Sequence, residues 1–140
     1  MQALTVPANL DALDPIGQYV LEAATQAGLE RKAAYRLRLA VDEVVTNIIV
    51  HGYNETGLEG DVVMRADLNA DALTIIVEDT AQPFDPRVRP DPANLDRPLE
   101  ERDIGGLGVF LALKGVDGFD YEYADGYNRN SFVMHRPAQG

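Results

Sequence analysis

The chain has 140 residues, 46% hydrophobic and 25% charged; this suits one compact domain with its own core and excludes a disordered composition. Its net charge of −11 is spread along the chain, which weighs against nucleic acid and against an acidic membrane surface, since both want clustered Lys and Arg. The absence of cysteine excludes disulfides, thiolate nucleophiles and cysteine metal sites.

The opening MQALTVPANLDALD lacks a basic and then apolar leader, and no apolar run reaches bilayer-spanning length, so a cytoplasmic location is expected. Within it, ALTV reads as a short strand. Asp14-Pro15 reads as a helix start, with the aspartate as cap and proline in the first turn. The following IGQYVLEAATQAG carries Ile16, Val20, Leu21 and Ala24 on one side, and Gly28 ends it. LERKAAYRLRLAVDEVVTNIIVHGY is the strongest helical signal. Leu37, Val41, Val44 and Ile48 recur at helical spacing, Ala40, Val45 and Ile49 widen the face, and Gly52 closes it. After a surface turn, VVMRADL and ALTIIVED alternate as a hairpin about Asn69-Ala70-Asp71, with Leu73, Ile75, Val77 and Asp79 in phase. Five prolines between Gln82 and Arg102 forbid a long regular element there, and loops of that length are often functional lids. A helix from about Leu107 to Lys114 follows. FDYEYAD and SFVMHR then read as strands joined through GYNRN, with Phe119, Tyr121 and Tyr123 on one face. This order predicts an α/β (α+β) two-layer sandwich: one sheet packed on one face by helices, without repeat or linker.

Three groups carry chemistry. Glu43 and Asn47 are four apart on one helical line, with His51 next; they form either a solvated stripe or a buried polar stripe in need of partners. Asp79 falls in phase behind an apolar strand. It either caps a turn or sits buried, where a purine's exocyclic amine is one donor that would satisfy it. Gly105, Gly106 and Gly108 precede a helix, as a tight turn or as an anion site on free first-turn amides. Neither the dinucleotide fingerprint nor Walker A is met, and His51 and His135 cannot make a histidine-rich metal site alone.

Taken together and in order, LAVDEVVTNIIVHGY (39–53), VEDTAQPFDP (77–86), LEERDIGGLGVFLALKGVDGFDYEY (99–123) and DGYNRNSFVMHR resemble the N, G1 and G2 boxes and closing strands of the bacterial anti-sigma regulatory serine/threonine kinases, a branch of the histidine kinase-like ATPases. The resemblance spans about residues 4–136, with an asparagine at 128 or 130 in the closing strands. It implies a single domain over 1–140, a mixed, largely antiparallel sheet, and an ATP lid over 85–104. It implies that Glu43 is the general base and Asn47 the magnesium ligand. It further implies that Asp79 meets the adenine amine and that Gly105, Gly106 and Gly108 hold the phosphates; Leu107 is counted with them, and Arg102, three residues before Gly105, is within reach of a terminal phosphate. ATP and Mg2+ would be the cofactors. A small anti-sigma factor antagonist would be the phosphoacceptor, and a sigma factor or substitute target the second partner; the assembly state stays open, a homodimer included. A nucleotide-gated binding module without kinase activity is the alternative. One departure stands out: the expected Asp-x-Gly of the G1 box is Asp79-Thr80-Ala81. Alanine adds a methyl group and gives up easy access to positive φ.

Overall fold

A computed structural model describes residues 1–87 and 104–137, with backbone only for 104–107. Strand β1 (Leu4–Pro7) leads through a 3₁₀ turn (Leu10–Ala12) into α1 (Leu13–Ala27) and α2 (Arg31–Asn47). The second helix continues without a break as a π-helical segment, Ile48–Asn54. Strands β2 (Asp61–Leu68) and β3 (Ala72–Asp79) follow, then α3 (Ile104–Leu113), β4 (Gly118–Ala124) and β5 (Tyr127–His135).

The strand order is β1-β2-β3-β5-β4, and all four pairings among the described residues are antiparallel. Alternation sends Val62, Met64, Leu73, Ile75, Val77, Phe132 and Met134 to the helical side, where all are buried. They meet Ile16 and Val20 of α1 and Leu37, Val41 and Val44 of α2 in one core. Each such side chain contributes about 1.5–3 kcal/mol on burial. The opposite face of the sheet carries charged pairs beside Val63, Ile76 and Val133. There Glu78 takes Arg65 at 2.7 Å and Arg129 at 3.1 Å, and Arg129 also reaches Glu122. Charges thus tie β2, β3, β5 and β4 together on the face that the helices leave open.

Four local expectations are corrected. Asp14 lies in the first turn of α1 and makes no capping bond, because the 3₁₀ turn runs straight into the helix and leaves Ala12 as N-cap. Gly52 does not close the second helix, which continues in π form to Asn54. The phase change leaves Ile48 half-buried at the turn while Ile49 is buried. Helix α3 begins at Ile104, so Gly105 and Gly106 lie inside its first turn and not ahead of it. Finally, GYNRN is not a connector. The turn is Asp125-Gly126 alone, both at positive φ (56° and 84°), and Tyr127 already belongs to β5. Gly28 does end α1: at φ 74° it closes a Schellman-type cap, with Leu29 N–H on Ala24 O at 3.0 Å.

Candidate functional site

The end of β3, the junction of α2 with its π-helical extension, and the start of β5 surround a cavity of about 250 Å³. Val44, Asn47, Ile48, His51 and Gly52 line it from the helix, Asp79 and Ala81 from the β3 end, and Asn128 and Asn130 from β5. The segment after β3 adds Gln82, Pro83, Phe84 and Pro86 as an outer wall.

Asp79 is 1% exposed, as its place in the alternation requires. Its Oδ1 accepts two bonds, from Ala81 N–H at 2.9 Å and from Asn128 Nδ2 at 2.9 Å. Its Oδ2 is buried and meets no donor among the described residues. Burial pushes the carboxyl above the usual carboxylate range, against the pull of the Asn128 and Ala81 N–H groups. Asn130, in register with Val77, is likewise buried and leaves Oδ1 without a donor. Asp79 and Asn130 both line the cavity and each holds a buried acceptor without a donor among the described residues, an arrangement that fits an amine.

Asn128 anchors the surrounding loop. Its two Nδ2 hydrogens are shared among Asp79 Oδ1, Ala81 O at 2.9 Å and Gln82 O at 3.2 Å. Its Oδ1 accepts Phe84 N–H at 3.2 Å and the Tyr121 hydroxyl. Every neighbour of the nitrogen is an acceptor and every neighbour of the oxygen a donor, which fixes the amide's orientation. Farther along the chain, Arg87 chelates Asp85 (3.0 and 2.8 Å), lies 3.8 Å from Asp120 and stacks over Phe119. Residues 85–87, the start of the expected lid, are thus docked on β4.

Tyr53, buried in the π-helical segment, receives Thr80 N–H on its hydroxyl at 2.9 Å. A Cβ at Gly52 would lie 2.8 Å from the Ala81 methyl. The alanine that replaces the expected glycine thus occupies space that Gly52 leaves free. Among the described non-glycine residues only Asp125 has positive φ, so position 81 does not use the conformation that alanine disfavours.

Glu43 and Asn47 share a line along α2. Asn47 borders the cavity, whereas Glu43 points to α3. A Cβ at Gly108 would fall 2.8 Å from Glu43 Oε2, so glycine at 108 makes room for this carboxylate. The backbone of Gly105, Gly106 and Leu107 forms the first turn of α3, whose amides have no partner within the helix. His51 is exposed and 3.0 Å from Glu55. Arg102 and residues 88–103 of the expected 85–104 lid lie outside the described residues. Among the described residues no three acidic or histidine groups come together as a metal cluster; a cation here would rely on Asn47 and on oxygens of a bound phosphate. Sequence reading assigned no role to Asn128, Asn130, Tyr121 or Tyr53. The Asp-Gly pair at 125–126 was the available signal, since it marks a two-residue hairpin and would have placed both asparagines on the core face of a strand.

The sequence pattern of the Histidine kinase-like ATPase domain matches residues 6–134. The chain belongs to this family. Family members bind nucleotides, and the cavity is lined by residues of the N box, the G1 box and the closing strand. The chain is 32% identical over 111 residues to the serine-protein kinase RsbW of Halalkalibacterium halodurans, covering 77% of this chain and 67% of that protein. It is 25% identical over 126 residues to the RsbW of Bacillus cereus strain AH187, covering 88% and 78%. These matches agree with the anti-sigma kinase resemblance. Two solved structures share the fold: the Acinetobacter baumannii histidine kinase AdeS (TM-score 0.53, 10% identity, 99% of this chain and 70% of that one), and the histidine kinase domain of the Erythrobacter litoralis EL346 blue-light activated kinase (TM-score 0.51, 17% identity, 92% and 61%). No described helix is long and apolar enough to cross a membrane.

Proposed function

We propose that the chain is an ATP-dependent protein serine/threonine kinase and partner-switching regulator of anti-sigma type, acting on a small antagonist protein. The observation that carries the reading is the buried Asp79 carboxylate on the cavity wall, with one oxygen held twice and the other without a donor among the described residues. The adenine amine fits that oxygen, with Asn130 Oδ1 as a second acceptor in the same cavity. The nearby RsbW relatives, serine-protein kinases by name, support the choice of reaction.

In this reading Asp79 holds the base. The first-turn amides of α3, at Gly105, Gly106 and Leu107, hold phosphate oxygens, with Gly108 and Arg102 completing that end. Bound magnesium-ATP supplies the phosphoryl group and offsets its charge. Asn47 offers magnesium a neutral oxygen. Glu43, one helical turn away, takes or orients the proton of the acceptor hydroxyl. Gly108 keeps the space beside Glu43 free of a side chain.

Single-turnover transfer of labelled phosphate from magnesium-ATP to the cognate antagonist is the test. Glu43→Ala should lower the rate about 10²–10⁴-fold and leave ATP affinity largely intact. Transfer by this variant at the parent rate would remove Glu43 from the mechanism. ATP binding without any transfer by the parent chain would leave a nucleotide-gated binding module.

A further inference from the structure

We infer that Asn128 is a positioning residue that sets which purine the cavity accepts, by fixing the aim of the Asp79 carboxylate. The inference rests on the nucleotide reading above and concerns a residue to which that reading gives no part.

A carboxylate on a short side chain has a broad, roughly two-fold terminal torsion, so burial alone does not decide which oxygen faces the cavity. Two donors decide it here, and both fall on the same atom: Ala81 N–H and Asn128 Nδ2 bind Oδ1 at 2.9 Å each. Oδ2 is left buried and without a donor among the described residues, on a side chain that lines the cavity. The Ala81 donor does not stand apart from Asn128, because the same Nδ2 also holds Ala81 O at 2.9 Å. Asn128 is 3% exposed, and nothing in the sheet ladder requires its side chain, since the backbone pairing with Asp79 is made regardless. Its amide spends every donor and acceptor on the base-facing end of the site. The Tyr121 hydroxyl on Oδ1 holds the amide from β4.

The chemical consequence is selectivity. A 6-amino purine offers Oδ2 a donor. A 6-oxo purine offers an oxygen at the same place, and two acceptors face each other without a proton between them. Discrimination follows only while Oδ2 is held in that direction.

The experiment is calorimetric titration of the full chain with magnesium-ATP and magnesium-inosine triphosphate, which differ at the 6-position. The parent should prefer ATP by at least tenfold. Asn128→Leu, similar in size but without donors, should lose about 10–100-fold in ATP affinity, the usual range for a residue that orients a binding group. Its affinity for inosine triphosphate should change little, so the ratio falls toward one. Equal losses for both nucleotides, or an unchanged ratio, would overturn the inference, because a role confined to folding moves both together. Tyr121→Phe keeps the ring and removes the hydroxyl's two bonds, to Asn128 Oδ1 and from Phe84 N–H; it should lower the ratio in the same direction by a smaller factor, and it decides the matter if Asn128→Leu does not fold. Absence of ATP binding by the parent would overturn the nucleotide reading itself, whereas parent binding with unchanged variants would overturn only the role of Asn128.

Discussion

Gly52→Ala tests why this chain tolerates alanine at the third position of its Asp79-Thr80-Ala81 turn. The added methyl would lie 2.8 Å from the Ala81 Cβ, at least about 0.7 Å inside ordinary carbon–carbon contact. Neither atom can swing away, since both are fixed to backbone. Latches on both sides resist a shift: Tyr53 holds Thr80 N–H at 2.9 Å, and Asn128 holds Ala81 O at 2.9 Å. Overpacking of this kind costs about 1–3 kcal/mol, and replacing a helical glycine by alanine returns about 0.5–1 kcal/mol. A net loss of up to about 2.5 kcal/mol follows, at roughly 3–5 °C per kcal/mol in melting temperature for a chain of this size. Ala81→Gly loses a buried methyl, about 0.8 kcal/mol, and gains backbone freedom in the unfolded chain, about 0.4–1 kcal/mol. It too should destabilise. The double substitution moves the methyl across the contact and removes the overlap. It should therefore be more stable than the two single effects sum to, by about 1–3 kcal/mol. Urea denaturation of the four proteins gives the cycle. Additivity within about 0.5 kcal/mol would refute the claim that Gly52 makes room for Ala81.

Asp79→Asn should weaken ATP binding by about 1.5–3 kcal/mol yet raise the melting temperature of the nucleotide-free protein at neutral pH. Burial lifts the Asp79 pKa, so its contribution to stability is present below the unfolded-state pKa and is lost as pH rises through the folded-state value; the gap between variant and parent should close on acidification, and a gap independent of pH would refute the linkage. Gly108→Ala should shift melting by less than about 1 kcal/mol, because the clashing Glu43 oxygen at 2.8 Å ends a flexible side chain. It should nonetheless lower single-turnover phosphotransfer about 10²-fold, as displacement of a reacting group does; parent-rate transfer would show that Glu43 needs no such room. Asn47→Ala should weaken ATP binding in magnesium and leave magnesium-free binding nearly unchanged, a contrast that titration with and without chelator reads directly.

Period and phase were legible where one face alone decides burial. Leu73, Ile75, Val77 and Asp79 stand in β3 as their alternation required, and Leu37, Val41 and Val44 face the core as their helical spacing required. The positions of Glu43, Asn47 and Asp79 came from the same two periods. The rest depended on tertiary contacts that no local pattern carries. The π-helical turn at Ile48–Asn54 is held by the Tyr53–Thr80 latch, a bond between residues 27 apart. Asn128 looked like loop chemistry because asparagine and glycine surround it. Its partners lie 44 to 49 residues away, at Asp79, Ala81, Gln82 and Phe84. Ala81 read as a defect when taken alone, and its compensation sits at Gly52, on another element.

The π-helical segment makes residue number, and not only residue type, a requirement of the site. Its bond from Glu55 N–H to Val50 O spans five residues at 3.0 Å, one more than an α-turn encloses. Were the segment to relax to α geometry with every residue kept, everything downstream would turn by about 100°, the angle of the one extra residue that the wide turn absorbs. Gly52 would leave the Ala81 methyl, Tyr53 would release Thr80, and the far wall of the cavity would rotate out of place. Among homologues aligned through this stretch, a one-residue gap would therefore mark an ordinary α turn in place of the wide one, with the downstream wall still in phase.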